Sequence, residues 1–159
     1  MSRQPPNPIE LERFLPYRLS VLTNVVSGAI ASAYQRRFGL GIPEWRVIAV
    51  LARHPGLSAA EVAACTRMDA VAVSRAVTRL ARSGRLNRSV SAEDRRRSVL
   101  RLSAAGRSVY RRIAPLALDY ERQLLACLDA REVAALDAIV AKLTARAHAL
   151  APPGRTDGA

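Results

Sequence analysis

The chain has 159 residues, half of them apolar, and a formal net charge of +12. This length gives one domain with enough apolar side chains for a hydrophobic core, and few aromatic residues favour helix over sheet. Thirteen of the 25 basic residues lie between Arg67 and Arg112, among only three acids, and the remainder is close to neutral. Because like charges repel in a compact state, this concentration predicts a polyanionic partner.

The N-terminal segment 1–10 contains several prolines and is expected to be flexible. It has no apolar stretch of the kind that forms a signal peptide. The uncharged segment 19–35 is interrupted by polar residues and glycine and is shorter than a usual membrane span. We therefore expect a cytoplasmic protein without a membrane segment.

Apolar residues at helical spacing predict a long first helix over residues 11–38, which Gly39 and Gly41 end. Pro43 suits the first position of a second helix, because the N–H that proline lacks would have no partner there. The break at 54–56, which is His-Pro-Gly, ends the second helix.

Two short helices follow. Ser58 begins the capping box Ser-x-x-Glu of the third helix, and Asp69 is suited to cap a fourth, which Gly84 ends. The turn between these two helices contains Thr66 and Arg67. On geometry alone, both residues are candidate phosphate contacts.

Beyond the fourth helix the pattern changes to alternation. Segments 85–90 and 98–102 alternate apolar and polar residues and predict a hairpin with a polar, basic connection. Ser103 then caps a long helix that Pro115 should bend. Asp129 opens a second capping box and begins the last helix.

These elements predict a mainly α (α+β) fold with a winged helix-turn-helix and a two-stranded wing. The single domain spans 11–150. Its winged helix lobe covers 43–102, between a long N-terminal helix at 11–38 and C-terminal helices at 103–150. The tail at 151–159 is expected to be disordered.

The fourth predicted helix has two different faces. Val73, Val77 and Leu80 face inward. Arg75 faces outward, early enough in the helix to reach base edges in a major groove. A solvated helix face is the alternative explanation. The candidate DNA contacts on this helix are Ala72, Ser74, Arg75, Thr78, Arg79 and Arg82; the last two are expected to meet phosphates.

The hairpin connection is the second basic feature. Asp94 is followed by Arg95, Arg96 and Arg97 where a wing tip would lie. Three consecutive arginines are costly unless they meet an anion, and a narrow minor groove attracts an inserted arginine. Asp94 can orient Arg96 by a salt bridge before DNA binds. The alternative is a solvated turn.

The combination of these motifs over about residues 11–150 resembles the MarR family of bacterial transcription regulators. The family's wing signature is D-x-R followed some six residues later by L-T or L-S. The matching stretches here are 57–61, 73–80, 84–86, Asp94 with Arg96, and 102–106.

The resemblance implies roles for five of these residues. Arg96 corresponds to the wing arginine that enters the minor groove, and Asp94 corresponds to its orienting partner. Ser74 and Arg75 match recognition-helix positions, and Ser58 matches a phosphate contact.

A homodimer is the assembly that we expect. The flanking helices at 11–38 and 103–150 carry apolar stripes that need a surface beyond the small lobe, and the family dimerises through such helices. Two recognition helices about 34–36 Å apart would fit a pseudo-palindrome. The alternative is that these helices close a core within one chain.

Family members often bind a small aromatic or carboxylate effector where the dimer helices meet the lobe. Trp45 offers an aromatic wall, and Arg18 or Arg46 is suited to a carboxylate. The alternative is an ordinary core tryptophan with structural arginines. The candidate lining is Tyr17, Arg18, Val21, Trp45, Arg46 and Ile113.

The cysteines and histidines give no metal or redox motif. Cys65 and Cys127 are expected to be reduced, buried thiols, with a redox switch as the alternative. The peroxide-sensing branch of the family has a reactive cysteine in its first helix, and residues 1–64 contain none. His54 and His148 are isolated, so we expect no metal and no cofactor.

The sequence therefore predicts a sequence-specific double-stranded DNA-binding transcriptional regulator, specifically a ligand-responsive repressor. The first alternative is a nonspecific DNA- or RNA-binding chromosomal module. RNA is the less favoured ligand of the two, because the chain lacks the exposed aromatic side chains on which proteins stack RNA bases. An enzyme is not expected, because the chain has no nucleophile–base motif, HExxH sequence, phosphate-binding glycine loop or carboxylate dyad.

Overall fold

The computed structural model describes residues 9–90 and 98–151 of the chain. A 3-10 turn at Leu11–Arg13 precedes helices and strands whose order confirms the predicted winged helix-turn-helix. They are α1 (Leu15–Phe38), α2 (Ile42–Arg53), α3 (Ala59–Thr66), α4 (Ala70–Arg82), β1 (Leu86–Val90), β2 (Ser98–Leu102), α5 (Ala104–Leu125) and α6 (Ala130–Leu150).

The first helix begins later than predicted. Residues 11–13 form the 3-10 turn, and α1 starts at Leu15 with Pro16 in its first turn. Proline has no N–H to donate, which matters least where helical N–H groups have no partner. The predicted end is confirmed: Gly39 takes the left-handed conformation, φ 60°, that glycine adopts without steric penalty.

Side chains cap the later helices as predicted. The Glu61 N–H donates to Ser58 Oγ at 3.3 Å, and the Ser58 N–H donates to Glu61 Oε2 at 2.7 Å. The Ala72 N–H donates to Asp69 Oδ1 at 2.7 Å. Asp129 caps α6 in the same way. Local hydrogen bonding thus sets where these helices begin.

The hydrophobic core lies inside the lobe. α2 packs against α3, α4 and α5. The last turns of α1 contribute Tyr34 and Phe38, and the first half of α5 contributes Val109 and Ile113. The remaining large buried residues are Leu40, Val47, Ile48, Leu51, Val62, Val73, Val77, Leu80, Leu86, Leu100 and Leu102.

The hairpin is attached to the lobe on one side and to α5 on the other. The Leu100 N–H donates to Leu57 O at 2.8 Å, so that the start of α3 lies beside β2. Ser103 caps α5 and also donates its hydroxyl to Gly84 O at 2.6 Å. A Cβ at Gly106 would lie 2.1 Å from Arg85 O, so only glycine fits this junction.

Helix α6 and the first half of α1 contribute no side chain to the core of the lobe. No residue of α6 is buried, and α1 buries side chains only from Ala31 onward. Large apolar side chains remain exposed on both: Leu15, Leu19, Leu22, Val25, Leu136, Ile139, Val140, Leu143 and Leu150. These stripes therefore do not close a core within the described part of one chain. None of the described helices combines the length and hydropathy needed to cross a membrane.

The prediction of buried cysteines is wrong. Cys65 and Cys127 are both exposed. Cys65 lies in the last turn of α3, a two-turn helix that buries only Val62. Cys127 lies in the turn between α5 and α6, where its Sγ contacts Leu124 O at 3.4 Å.

Candidate nucleic-acid interface

Helices α3 and α4 and the turn between them form the helix-turn-helix. The turn depends on Arg67, whose φ of 55° is the one positive φ of a non-glycine residue among residues 9–90 and 98–151. The Thr66 hydroxyl donates to Val62 O at 2.8 Å and accepts from the Met68 N–H at 3.4 Å. The hydroxyl of Thr66 therefore closes α3, while Arg67 is exposed.

The two faces of α4 are those that the sequence predicts. Val73, Ala76, Val77 and Leu80 are at most 1% exposed. The opposite face carries the arginine row, which we define as Arg75, Arg79 and Arg82, and all three are exposed. Of the other predicted contacts on α4, Ser74 is exposed, and Ala72 and Thr78 are half-buried.

Arg79 has a partner that the sequence analysis missed. Its Nε donates to Oε1 of Glu44, which lies 35 positions earlier in the first turn of α2. Glu44 is only 4% exposed, whereas the Arg79 side chain is 61% exposed. The spacing Gly41-x-x-Glu44 matches a helix N-cap and its third residue, and this signal would have predicted a carboxylate that accepts the Gly41 N–H.

Ser58 lies at the start of α3, as predicted, but its hydroxyl already has partners. Ser58 Oγ donates to Glu61 Oε2 at 2.8 Å and accepts the Glu61 N–H. A phosphate contact from this hydroxyl would compete with the cap. The predicted wing contacts Asp94, Arg95, Arg96 and Arg97 lie outside the described residues.

The six residues predicted to line an effector pocket lie on three helices, α1, α2 and α5. Tyr17, Arg18 and Val21 are exposed on α1, and Arg46 is exposed on α2. Ile113 is 1% exposed in the core. Trp45 is half-buried within an aromatic stack.

The aromatic stack joins α1, α2 and α5. The Trp45 ring centroid lies 5.8 Å from that of Tyr34 and 5.9 Å from that of Tyr110. Burial raises the pKa of the Tyr34 hydroxyl above its ordinary value of 10.0; the charge of Glu44 adds to the rise, and that of Arg46 opposes it.

A cavity of about 610 Å³ lies between the end of α2, the outer face of the hairpin and the start of α5. Its walls combine apolar and cationic groups: Leu51, Ala52, Pro55, Leu102 and Tyr110 beside Arg101, Arg107 and Arg111. Arg107 donates to Leu102 O at 2.8 Å. No carboxylate among the described residues pairs with these three arginines.

A helix-turn-helix with an outward arginine row and an attached hairpin defines the winged helix class of DNA-binding proteins. The MarR family model matches residues 38–97, from the last residue of α1 into the hairpin, and the fold is that of MarR family transcriptional regulators. No relative among curated proteins matches the sequence.

Solved structures share nearly the whole fold. A MarR/EmrR family regulator from Acinetobacter is 27% identical, with a TM-score of 0.82 over 89% of this chain and 100% of that one. PcaV from Streptomyces coelicolor, solved with its natural ligand, is 24% identical, with a TM-score of 0.77 over 89% and 99%. BpsR from Bordetella bronchiseptica, whose DNA binding is regulated by 6-hydroxynicotinic acid, is 19% identical, with a TM-score of 0.78 over 87% and 98%.

Proposed function

We propose that the protein is a homodimeric, sequence-specific repressor that binds a pseudo-palindromic double-stranded operator in the cytoplasm and responds to a small effector. The observation that carries this proposal is the arginine row, held outward because the opposite face of α4 is buried. In this arrangement Arg75 is assigned to base edges, and Arg79 and Arg82 are assigned to phosphates.

The wing supplies the second contact. β1 and β2 stay paired up to Val90 and Ser98, which flank the segment 91–97. We assign Arg96 to the minor groove and Asp94 to the orientation of its guanidinium. This pair of contacts, one in each groove, would fix the register of each half-site.

The exposed stripes of α1 and α6 support the dimer. Apolar side chains such as Leu22, Ile139 and Val140 are 51–54% exposed in one chain. A two-fold partner that contributes the same helices would cover both stripes at once, and it would set two copies of α4 about one turn of DNA apart.

The effector site that we propose is the cavity between α2, the hairpin and α5. Its volume suits a small molecule, and Arg101, Arg107 and Arg111 suit a carboxylate beside the ring of Tyr110. Asn87 and Arg101 belong to the hairpin, so a bound effector would contact the wing directly. The acid named for BpsR supports this chemical class.

The test begins with selection of duplexes from a random pool by the full-length protein. Arg75→Ala and Arg96→Ala are expected to weaken binding to the selected duplex by about 1–3 kcal/mol each, with affinity falling steeply with salt. Arg13→Ala, which removes the same charge outside the lobe, is the matched control. Equal affinity for selected and random duplexes would favour the nonspecific module, and turnover of an aromatic acid would favour an enzyme.

A further inference from the structure

Glu44 is the one charged side chain that is buried among the residues the structure describes. Both of its oxygens have partners. Oε2 accepts the Gly41 N–H at 2.8 Å, and Oε1 accepts Nε of Arg79. A Cβ at residue 41 would lie 2.6 Å from Oε2, so glycine leaves room for the carboxylate. A buried carboxylate persists only where such partners replace water, and here one partner belongs to α4.

Arg79 meets this carboxylate with one edge of its guanidinium. Only Nε has a described partner, and the side chain is 61% exposed. Arg75 lies four positions earlier on the same face of α4. Since a guanidinium presents five donors in a rigid plane, fixing Nε also fixes the direction of the two terminal nitrogens.

We infer that Glu44 is a specificity-determining positioning residue: through Arg79 it fixes how α4 presents the arginine row to DNA. The inference rests on the proposed function, because it concerns the duplex that α4 binds. Glu44 itself, buried beneath Arg79, does not contact the duplex.

Electrostatics separates this role from a simple charge effect. A carboxylate near DNA is repelled by every phosphate and lowers affinity for all sequences alike. Loss of a purely electrostatic Glu44 would therefore tighten binding to any duplex. Loss of a positioning Glu44 weakens binding only where geometry matters, that is, on the selected sequence.

The experiment uses the full-length protein, the duplex that it selects from a random pool, and a scrambled duplex of the same composition. Glutamine at position 44 keeps an acceptor for the Gly41 N–H but removes the charge. We expect Glu44→Gln to bind the selected duplex about tenfold more weakly. Binding to the scrambled duplex should be unchanged or tighter, by roughly threefold at most.

Two further variants test whether Glu44 acts through Arg79. Glu44→Gln combined with Arg79→Gln should bind the selected duplex no more weakly than Arg79→Gln alone. Arg79→Lys keeps the charge at an exposed position but loses the fixed plane, and it should lose affinity for the selected duplex while its salt dependence stays that of the wild type.

Three results overturn the inference. They are a parallel change on both duplexes, losses that multiply in the double variant, and an Arg79→Lys protein with wild-type discrimination. The lysine variant decides the matter if Glu44→Gln does not fold. Failure of the wild-type protein to enrich any duplex would overturn the proposed function first, and this inference with it.

Discussion

Replacing Arg67 by glycine should make the protein more stable and a weaker DNA binder. Arg67 ends α3 with φ 55° and ψ 30°, a conformation that costs a non-glycine residue about 1–2 kcal/mol. Glycine adopts it freely but loses roughly 0.5–1 kcal/mol more chain entropy on folding. The net effect is an increase of up to about 1.5 kcal/mol in the free energy of unfolding, centred near 0.75 kcal/mol. At about 2–4 °C per kcal/mol for a chain of this size, the central value raises Tm by roughly 1.5–3 °C.

The loss of binding follows from the place of Arg67 in the turn of the helix-turn-helix. If its guanidinium meets a phosphate, Arg67→Gly should weaken all duplexes about equally and reduce the salt slope of log Kd by about one. Thermal unfolding at one fixed protein concentration and fluorescence anisotropy over a salt series measure the two effects, because association shifts Tm.

Arg67→Ala is the matched control, since it removes the same charge but keeps the backbone strain. It should bind like the glycine variant without the gain in Tm. A glycine variant that binds DNA as well as the wild type would refute the assignment of Arg67 to phosphate. A glycine variant that unfolds at a lower temperature would refute the account of the strain.

Three other predictions concern stability, assembly and titration. Gly106→Ala should lower the free energy of unfolding by about 1–3 kcal/mol, because the added Cβ would clash with Arg85 O. Gly28→Ala has open space around the added Cβ and should raise the free energy of unfolding by about 0.5–1 kcal/mol. Urea unfolding measures both variants, and equal shifts would contradict the packing argument. Ile139→Glu should reduce the mass measured by analytical ultracentrifugation from that of the proposed dimer to that of one chain, and a variant that keeps the dimer mass would place Ile139 outside the proposed interface. The pKa of Tyr34 is raised in the folded state, so Tyr34 stabilises the fold below pH 10.0 and loses this effect as the pH rises through its pKa in the folded protein. In an ultraviolet titration of the tyrosines, Tyr34→Phe should remove the most alkaline step. If that step persists in the variant, it belongs to another tyrosine.

The parts of the fold that depend on neighbouring residues were predictable from the sequence. Ser58 and Asp69 cap helices through hydrogen bonds that span three positions, and the two faces of α4 follow from helical periodicity. The hairpin follows from alternation with a period of two. Such signals predicted the winged helix and the outward face of α4 without any tertiary information.

What the sequence could not show depends on contacts between distant residues. Glu44 and Arg79 come together only because α2 packs on α4, and no local pattern links two positions 35 residues apart. Cys65 was assigned to the core from the usual burial of cysteine, but α3 is too short to bury more than Val62. The sequence also could not show that residues 11–13 form a 3-10 turn and that α1 begins only at Leu15, because the periodicity of apolar residues alone does not distinguish a 3-10 turn from the first turn of an α-helix.

Trp45 is the single tryptophan of the chain, and its two ring neighbours come from different helices. Tyr34 lies on α1, which precedes the winged helix in the chain, and Tyr110 lies on α5, which follows it. A movement of α1 or α5 against α2 would alter one of these ring distances, and indole emission is sensitive to such changes. Trp45 is thus an intrinsic fluorescence probe, which would report such an allosteric movement without any attached label.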